Sequence, residues 1–98
     1  KQLVYVFIPI QRKLLYITEA ADVAFVAKWK DSERETRISS RARKDVKIPL
    51  NSVMAQVGKE LGGAGGGHPK AAGAAAKTHT KEALKRCVEI FTEIAQKK

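Results

Sequence analysis

The stretch ELGGAGGGHPKAAGAAA, residues 60–76, carries the strongest structural signal in this chain of 98 residues. All seven glycines lie between Gly58 and Gly73, and five of them fall between Gly62 and Gly67. An ordered glycine loses more backbone entropy than any other residue, so this cluster needs a structural or functional reason. Gly62 stands where a helix would need a left-handed residue at its end. The other glycines exceed what turning the chain requires.

Alternating polarity before the glycines predicts two strands joined by a hairpin. Residues 23–30 predict a half-buried strand, the polar residues KDSERE supply the turn, and residues 36–43 predict the second strand. In the second strand one face carries Thr36, Ile38, Ser40 and Ala42, and the other carries Arg37, Ser39, Arg41 and Arg43. One face of the predicted sheet is therefore a cationic stripe.

The flanking segments predict one further strand and helix on the amino-terminal side. Residues 4–10 are β-branched and aromatic, which indicates a strand that is either buried on both faces or at an edge ending near Pro9. Residues 11–21 show helical spacing of apolar side chains. Asn51 or Ser52, after Pro49, is expected to cap a helix with apolar residues at 53, 54, 57 and 61.

The carboxyl-terminal segment predicts a strand and a long helix. Residues 71–77 are expected to form a short, tightly packed strand, and Thr78 or Thr80 to cap a helix over 80–96. The expected buried stripe of that helix is Leu84, Cys87, Val88, Phe91, Ile94 and Ala95. The fold class is then α/β (α+β), a small mixed sheet of about four strands covered by about three helices in the order β-α-β-β-α-β-α.

The amino-acid composition indicates which class of partner and which cellular setting to expect. Nineteen basic and ten acidic residues leave a net charge of +9, which favours an anionic partner such as nucleic acid, although a solvated basic face would give the same count. The apolar run at 3–10 is too short for a bilayer span, so we expect no membrane partner. The single cysteine, Cys87, favours a reducing, cytoplasmic setting. A start at Lys1, without methionine, favours one domain excised from a longer protein.

The glycines are interpreted as a phosphate-binding loop. Gly65, Gly66 and Gly67 would let a ligand approach main-chain N–H groups, and His68 and Lys70 would add a donor and a charge. The nucleotide P-loop fails because Lys70 lies between Pro69 and Ala71 and not between glycine and a serine or threonine. The dinucleotide fingerprint fails because its sixth position, which should be glycine, is His68 when counted from Gly63 and Lys70 when counted from Gly65. The alternative is a flexible glycine loop before an alanine-rich strand.

Residues 65–74, GGGHPKAAGA, resemble the Gly-Gly-Gly-His-x-x-Ala-Ala-Gly signature of the domain that follows the catalytic domain in DHH-family phosphoesterases. This family includes RecJ-like single-strand exonucleases and enzymes that degrade short oligoribonucleotides or cyclic dinucleotides. Upstream, ISSRAR resembles the Val-Ser-x-Arg-Ser strand of the family and places Ser39 and Arg41 on its signature positions. The resemblance covers about residues 22–96; Ala42 replaces the usual serine, and Ala64 stands where many members carry glycine.

The resemblance implies a substrate-binding domain without catalytic residues, metal ligands or a cofactor of its own. Manganese would be bound by the missing amino-terminal catalytic domain, and this chain alone would be inactive. The partner would be single-stranded nucleic acid or a short oligonucleotide. The implied substrate-binding residues are Ser39, Arg41, Gly65, Gly66, Gly67, His68 and Lys70, and the candidate backbone contacts are Arg37, Arg43 and Lys44.

Three alternatives remain open from the sequence. The related carboxyl-terminal domain of alanyl-tRNA synthetases has a glycine-rich motif and binds tRNA, but it usually lacks the His-x-x-Ala-Ala-Gly ending. A free-standing nucleic-acid-binding module would have no catalytic partner. An assembly domain would use the helix over 80–96 to dock a partner, and exposed Phe91 and Ile94 side chains would favour it.

Overall fold

The computed structural model describes residues 5–9, as backbone, together with residues 23–44 and 46–96. Their elements are β1 (Tyr5–Pro9), β2 (Val23–Lys30), β3 (Glu35–Ala42), α1 (Leu50–Glu60), β4 (Ala64–His68), β5 (Ala71–Ala76) and α2 (Thr80–Gln96). The strands form one sheet in the order β1-β2-β3-β5-β4. The helix predicted over 11–21 lies outside the described residues.

The sheet is mixed, as the sequence predicts. β1 pairs with β2 in parallel, and every other neighbouring pair is antiparallel. β1 lies at an edge of the sheet, which confirms the second of the two placements predicted for residues 4–10. A hairpin turn over 31–34 joins β2 and β3 at the predicted KDSERE segment.

The core lies between one face of the sheet and the two helices. The side chains of Phe25 on β2 and Phe91 on α2 are fully buried and meet edge to face, with ring centroids 6.0 Å apart. The other fully buried large side chains are Leu50, Met54, Ile90, Val23, Val53 and Val57. Of the stripe predicted for α2, Val88, Ile94 and Ala95 are only half-buried, whereas Ala83 and Ile90 are buried and were not predicted.

Two side chains of α2, Cys87 and Arg86, contribute to the helical layer in different ways. Burial raises the pKa of the Cys87 thiol to about 12, so this cysteine is a packed apolar residue and not a reactive thiolate. The Arg86 guanidinium on α2 donates to Glu60 on α1 at 2.8 Å and to Glu89 at 3.2 Å. This ion-pair group ties the two helices together on the solvent side.

The prediction of a half-buried β2 is wrong for its first half. Ala24 and Val26, on the face opposite Phe25, are 1% and 6% exposed, so both faces of β2 are buried from Val23 to Ala27. In β3 the predicted alternation is confirmed, because Thr36, Ile38 and Ser40 are buried while the intervening side chains are exposed.

The prediction of a glycine loop is also wrong, because residues 64–68 form β4. This edge strand pairs with β5 in a five-residue register from Ala64 opposite Ala75 to His68 opposite Ala71. Helix α1 lies against it so closely that a Cβ on Gly65 would be 2.7 Å from the Met54 carbonyl carbon. Glycine is disfavoured in strands, but here it allows the backbones of α1 and β4 to lie in contact.

The ends of α1 show one wrong and one confirmed prediction. Pro49 occupies the amino-terminal cap position without a side-chain hydrogen bond, so neither Asn51 nor Ser52 caps the helix. The Leu50 N–H instead donates to the Pro69 carbonyl in the β4–β5 turn, at 2.9 Å, so a tertiary contact replaces the side-chain cap. At the other end Gly62 adopts φ +83°, the left-handed conformation expected there.

The start of α2 is set by a residue that the sequence did not single out. The His79 carbonyl accepts from the Ala83 N–H at 3.0 Å, which places His79 in the cap position between the two threonines predicted for it. The Thr78 carbonyl is bound by the Thr36 hydroxyl at 2.6 Å, so the residues before α2 are held by β3.

Candidate functional site

The face of β3, β5 and β4 that is turned away from α1 and α2, called the open face below, gathers most of the predicted binding residues. Its residues pair across the three strands in rows: Arg41, Ala71 and His68; Ser39, Gly73 and Gly66; and Arg37, Ala75 and Ala64. Neighbouring strands are about 4.8 Å apart, so the backbones of Arg41 and His68 are about 10 Å apart. Only alanine and glycine lie between the β3 side chains and His68 in these rows.

The exposed polar side chains of the open face lie at its two sides. Ser39 and Arg41 on β3 are exposed, and His68 at the end of β4 is exposed as well. Among the described residues Arg41 has no ion-pair or hydrogen-bond partner, so its guanidinium is available to a ligand. A planar anionic or aromatic group would fit over the small residues between the two sides.

Three consecutive glycines of β4 differ in what the fold requires of them. Gly65 and Gly67 pair with the buried residues Ala74 and Ala72, and they belong to the face that meets the helices. Gly67 also adopts φ +141°, where a side chain would be strained, and a Cβ there would lie 2.7 Å from the Ala72 Cα. Packing and backbone conformation therefore account for both residues.

Gly66 has neither reason to be glycine. A Cβ on Gly66 would meet no heavy atom of the described residues within 4 Å, and its φ lies outside the left-handed region. Glycine in a strand costs about 0.5–1 kcal/mol relative to alanine. Gly66 therefore leaves space above the strand on the open face, between Ala64 and His68. No packing contact of the described residues requires a glycine there.

The extended strand does not form the predicted nest of N–H groups. A nest needs successive residues that alternate between right- and left-handed conformations, whereas N–H groups of an extended strand point alternately to its two edges. The open face can therefore offer Cα–H groups and the exposed side chains above the strands, and N–H groups only along the free edge of β4.

Two predicted cations are already engaged by other groups. Arg37 donates to Glu33 at 2.9 Å and to Glu35, and these carboxylates hold the pKa of its guanidinium above the usual value. The Lys70 ammonium donates to the backbone carbonyl of Val46. Lys44 is exposed and Arg43 half-exposed beyond the end of β3, and the exposed Lys47 nearby was not predicted as a site residue.

The stability of the fold is expected to depend on pH through Glu35, which lies at the end of β3 opposite to Arg41. Hydrogen bonds from Arg37 and then Lys77 hold the pKa of Glu35 below its usual 4.5. A carboxyl with a lowered folded pKa contributes stability above pH 4.5, and that contribution is lost as the pH falls through the folded pKa. We expect the melting temperature to fall less between pH 7 and pH 3 in Glu35→Gln than in the parent chain.

Thermal unfolding followed by circular dichroism at several pH values measures this difference. Ser52→Ala, at an exposed position on α1, is the control for a surface substitution that leaves every carboxyl group in place. Parallel melting curves for Glu35→Gln and the parent chain over the whole pH range would show that the ion pairs of Glu35 contribute nothing.

Neither metal-binding clusters nor membrane-spanning helices occur among the described residues. No three histidine, cysteine or acidic side chains in this part of the chain lie close enough to bind a metal ion. Neither α1 nor α2 has the length and apolar composition of a membrane-spanning helix. Phe91 is fully buried, so the exposed aromatic that would favour an assembly role for α2 is not present on this helix.

Comparison with known proteins agrees with the motif. The sequence is 40% identical over 87 residues to the uncharacterized protein MJ0988 of Methanocaldococcus jannaschii; the match covers 79% of this chain and 26% of that protein. This chain thus spans about a quarter of the length of that relative. The C-Ala domain of Aquifex aeolicus alanyl-tRNA synthetase is a structural neighbour with a TM-score of 0.57 and 32% identity, covering 70% of this chain and 64% of that domain.

Two further structural neighbours share the fold at lower identity. An exopolyphosphatase-related protein of Bacteroides fragilis superimposes with a TM-score of 0.59 at 24% identity, over 78% of this chain and 20% of that protein. The pGpG-specific phosphodiesterase PggH of Vibrio cholerae superimposes with a TM-score of 0.52 at 14% identity, over 78% of this chain and 24% of that enzyme. The sequence model of the DHHA1 domain matches residues 11–97, and the chain therefore belongs to the DHHA1 domain family.

Proposed function

We propose that this domain binds the phosphate and base of a single-stranded nucleic acid or short oligonucleotide on its open face. The observation that carries the proposal is Gly66, whose missing side chain leaves a gap in the floor that no residue of the described chain fills. A ligand lying there would contact the strand backbone directly. The net charge of +9 supports an anionic ligand.

The exposed side chains near Gly66 contact different parts of the ligand in this proposal. Arg41 pairs with a phosphate or stacks on a base, since its guanidinium is planar, permanently charged and without an internal partner among the described residues. Ser39, in the same row as Gly66 and two strands away from it, adds a hydroxyl, and His68 donates to a phosphate at the other side of the open face. Gly65 contributes indirectly, by letting β4 lie against α1, and Gly67 by allowing the positive φ and the close approach to Ala72 on β5.

Hydrolysis belongs to a different part of the parent protein in this proposal. The described residues bring together no metal-binding group, and a two-metal hydrolytic site needs several convergent carboxylates and imidazoles. We propose that a separate DHH domain holds manganese and activates water, while this domain holds the substrate in position. The isolated chain is then a binding protein and not an enzyme.

A titration with a short 5′-phosphorylated oligonucleotide, followed by backbone amide shifts in NMR spectra, tests the binding role. At low salt we expect saturable shifts at Gly66, His68 and Arg41, and weaker binding at higher salt because phosphate contacts release counterions. Amides of α2 serve as the internal control. The absence of any shift on the open face at low salt would overturn the proposal for this chain.

Arg41 and Arg37 form a matched pair for mutation, because both project from the same face of β3. We expect Arg41→Ala to weaken oligonucleotide binding about tenfold, the value of one hydrogen-bonded charge contact of about 1.5 kcal/mol. Arg37→Ala should change affinity about twofold at most, because Glu33 and Glu35 already engage that guanidinium. Fluorescence anisotropy of a labelled oligonucleotide measures both, and equal losses would argue for a diffuse charge effect.

Recognition of tRNA is the second candidate. It is favoured by the likeness to the C-Ala domain, which has the highest sequence identity of the three structural neighbours described above. Competition separates the two candidates. If unlabelled single strands displace the labelled oligonucleotide at a lower concentration than folded tRNA does, the result supports binding of single strands. If folded tRNA displaces it at the lower concentration, the result supports recognition of tRNA.

A further inference from the structure

The turn between β4 and β5 and the segment between β3 and α1 are joined by three hydrogen bonds. The Lys70 carbonyl accepts from the Ala42 N–H at 3.0 Å, and the Pro69 carbonyl accepts from the Leu50 N–H at 2.9 Å. The Lys70 ammonium donates to the Val46 carbonyl. Ala42 and Leu50, which flank the segment over 43–49, and Val46 within its described part are therefore fastened to two residues that directly follow His68.

The segment fastened in this way is basic. Val46 anchors it in the core with only 3% of its surface exposed, while Lys44 and Lys47 on either side are exposed to solvent. The segment leaves β3 directly after Arg41 and Ala42, at the same end of the sheet as the row of Arg41, Ala71 and His68. Its exposed charges thus lie at the end of the sheet that carries the row of Arg41, Ala71 and His68.

One N–H of the Lys70 ammonium is used by the Val46 carbonyl, and this contact fixes where the ammonium lies. Its stem is half-buried and its charge satisfies a backbone carbonyl that would otherwise lose its partner. Moving the ammonium away to a phosphate would leave the Val46 carbonyl without this donor. An exposed lysine on the same segment can reach a phosphate without that loss.

We propose, on the basis of the function above, that Lys70 is a positioning residue and that Lys44 and Lys47 are the lysines that contact the nucleic-acid backbone. The Lys70 ammonium holds the segment over 43–49 against the β4–β5 turn. The ligand therefore extends from the open face past Arg41 onto this segment, which makes it a strand of several nucleotides and not an isolated phosphate.

A mutant cycle tests the assignment. Affinity for single-stranded oligothymidylate is measured over a series of salt concentrations for Lys70→Met, for Lys44→Ala/Lys47→Ala and for the triple variant. For a single strand, each phosphate that the protein no longer neutralises lowers the slope of log affinity against log salt by about 0.7. We expect the double variant to lower it by about 1.4, and Lys70→Met to have almost no further effect on slope or affinity once Lys44 and Lys47 are absent.

Two measurements separate positioning from phosphate binding and from general loss of fold. Lys70→Arg, which keeps a donor for the Val46 carbonyl, should restore affinity, and amide exchange at 46 and 47 should quicken only in Lys70→Met. An additive loss of affinity with a further slope change of about 0.7 in the triple variant would show that Lys70 contacts phosphate and would overturn the proposal.

The proposed function can fail independently of this assignment. If the parent chain binds no oligonucleotide at low salt, the binding role is lost. Amide exchange at 46 and 47 still reports whether Lys70 fastens the segment. Unchanged exchange in Lys70→Met would overturn the positioning role regardless of any binding result.

Discussion

Replacing Gly65 by alanine is expected to lower the free energy of unfolding by about 3 kcal/mol, at the upper end of the usual cost of overpacking. A Cβ at this position would lie 2.7 Å from the Met54 carbonyl carbon and 2.9 Å from the Ala74 Cβ. The Met54 carbonyl is part of the α1 backbone, so the helix itself must move to make room. Chemical denaturation followed by circular dichroism measures the loss.

Gly66→Ala is the matched control, one residue further along the same strand. Its Cβ enters open space, so stability should change by no more than about 0.5–1 kcal/mol, and in the stabilising direction, since alanine loses less backbone entropy than glycine. Similar destabilisation by both variants would contradict the packing role assigned to Gly65. Similar neutrality of both would point to the flexible glycine loop that the sequence left open.

Replacing Gly66 by leucine is expected to leave the chain folded and to lower oligonucleotide affinity at least about fivefold. The side chain would fill the gap that the proposed ligand occupies, and forcing an extra group into a packed space costs about 1–3 kcal/mol, or roughly 5- to 150-fold in affinity. Anisotropy of a labelled single strand measures the affinity, and the melting temperature reports that the fold is intact.

Ala64→Leu is the control for simple crowding of the open face. Ala64 is exposed on the same face of the same strand, two residues from Gly66 and in the row of Arg37, away from Arg41 and His68. We expect an affinity loss of about twofold or less, because the proposed ligand lies over the other two rows, those of Gly66 and His68. Equal losses in the two variants, or no loss in Gly66→Leu, would contradict a ligand seated on Gly66.

Only the placement of some candidate site residues could be predicted from the sequence, and the shape of the site could not. Alternation with a period of two placed Ser39 and Arg41 on one exposed face, and the structure confirms that arrangement. The motif placed His68 and Gly66 near them without indicating how. The predicted loop with convergent N–H groups is instead a strand, and Lys70 and Arg37, both named as binding residues, are engaged by internal partners.

The amino-acid sequence by itself determined the strand faces of residues 36–41, the left-handed turn at Gly62 and the family of the domain. These features depend on neighbours within a few positions, or on a motif that is contiguous in the chain. Only the tertiary structure decided that residues 64–68 form a strand, that Gly65 is required by packing while Gly66 is not, and that Lys70 binds the Val46 carbonyl.

The physical reason is the same in each case. Whether a glycine is needed depends on how closely another backbone approaches it, and α1 approaches Gly65 at Met54, which is eleven positions away in the chain (65 − 54). The partner of Lys70 lies twenty-four positions away. Contacts of that separation follow from how the sheet and helices pack together, which no local pattern of residues records.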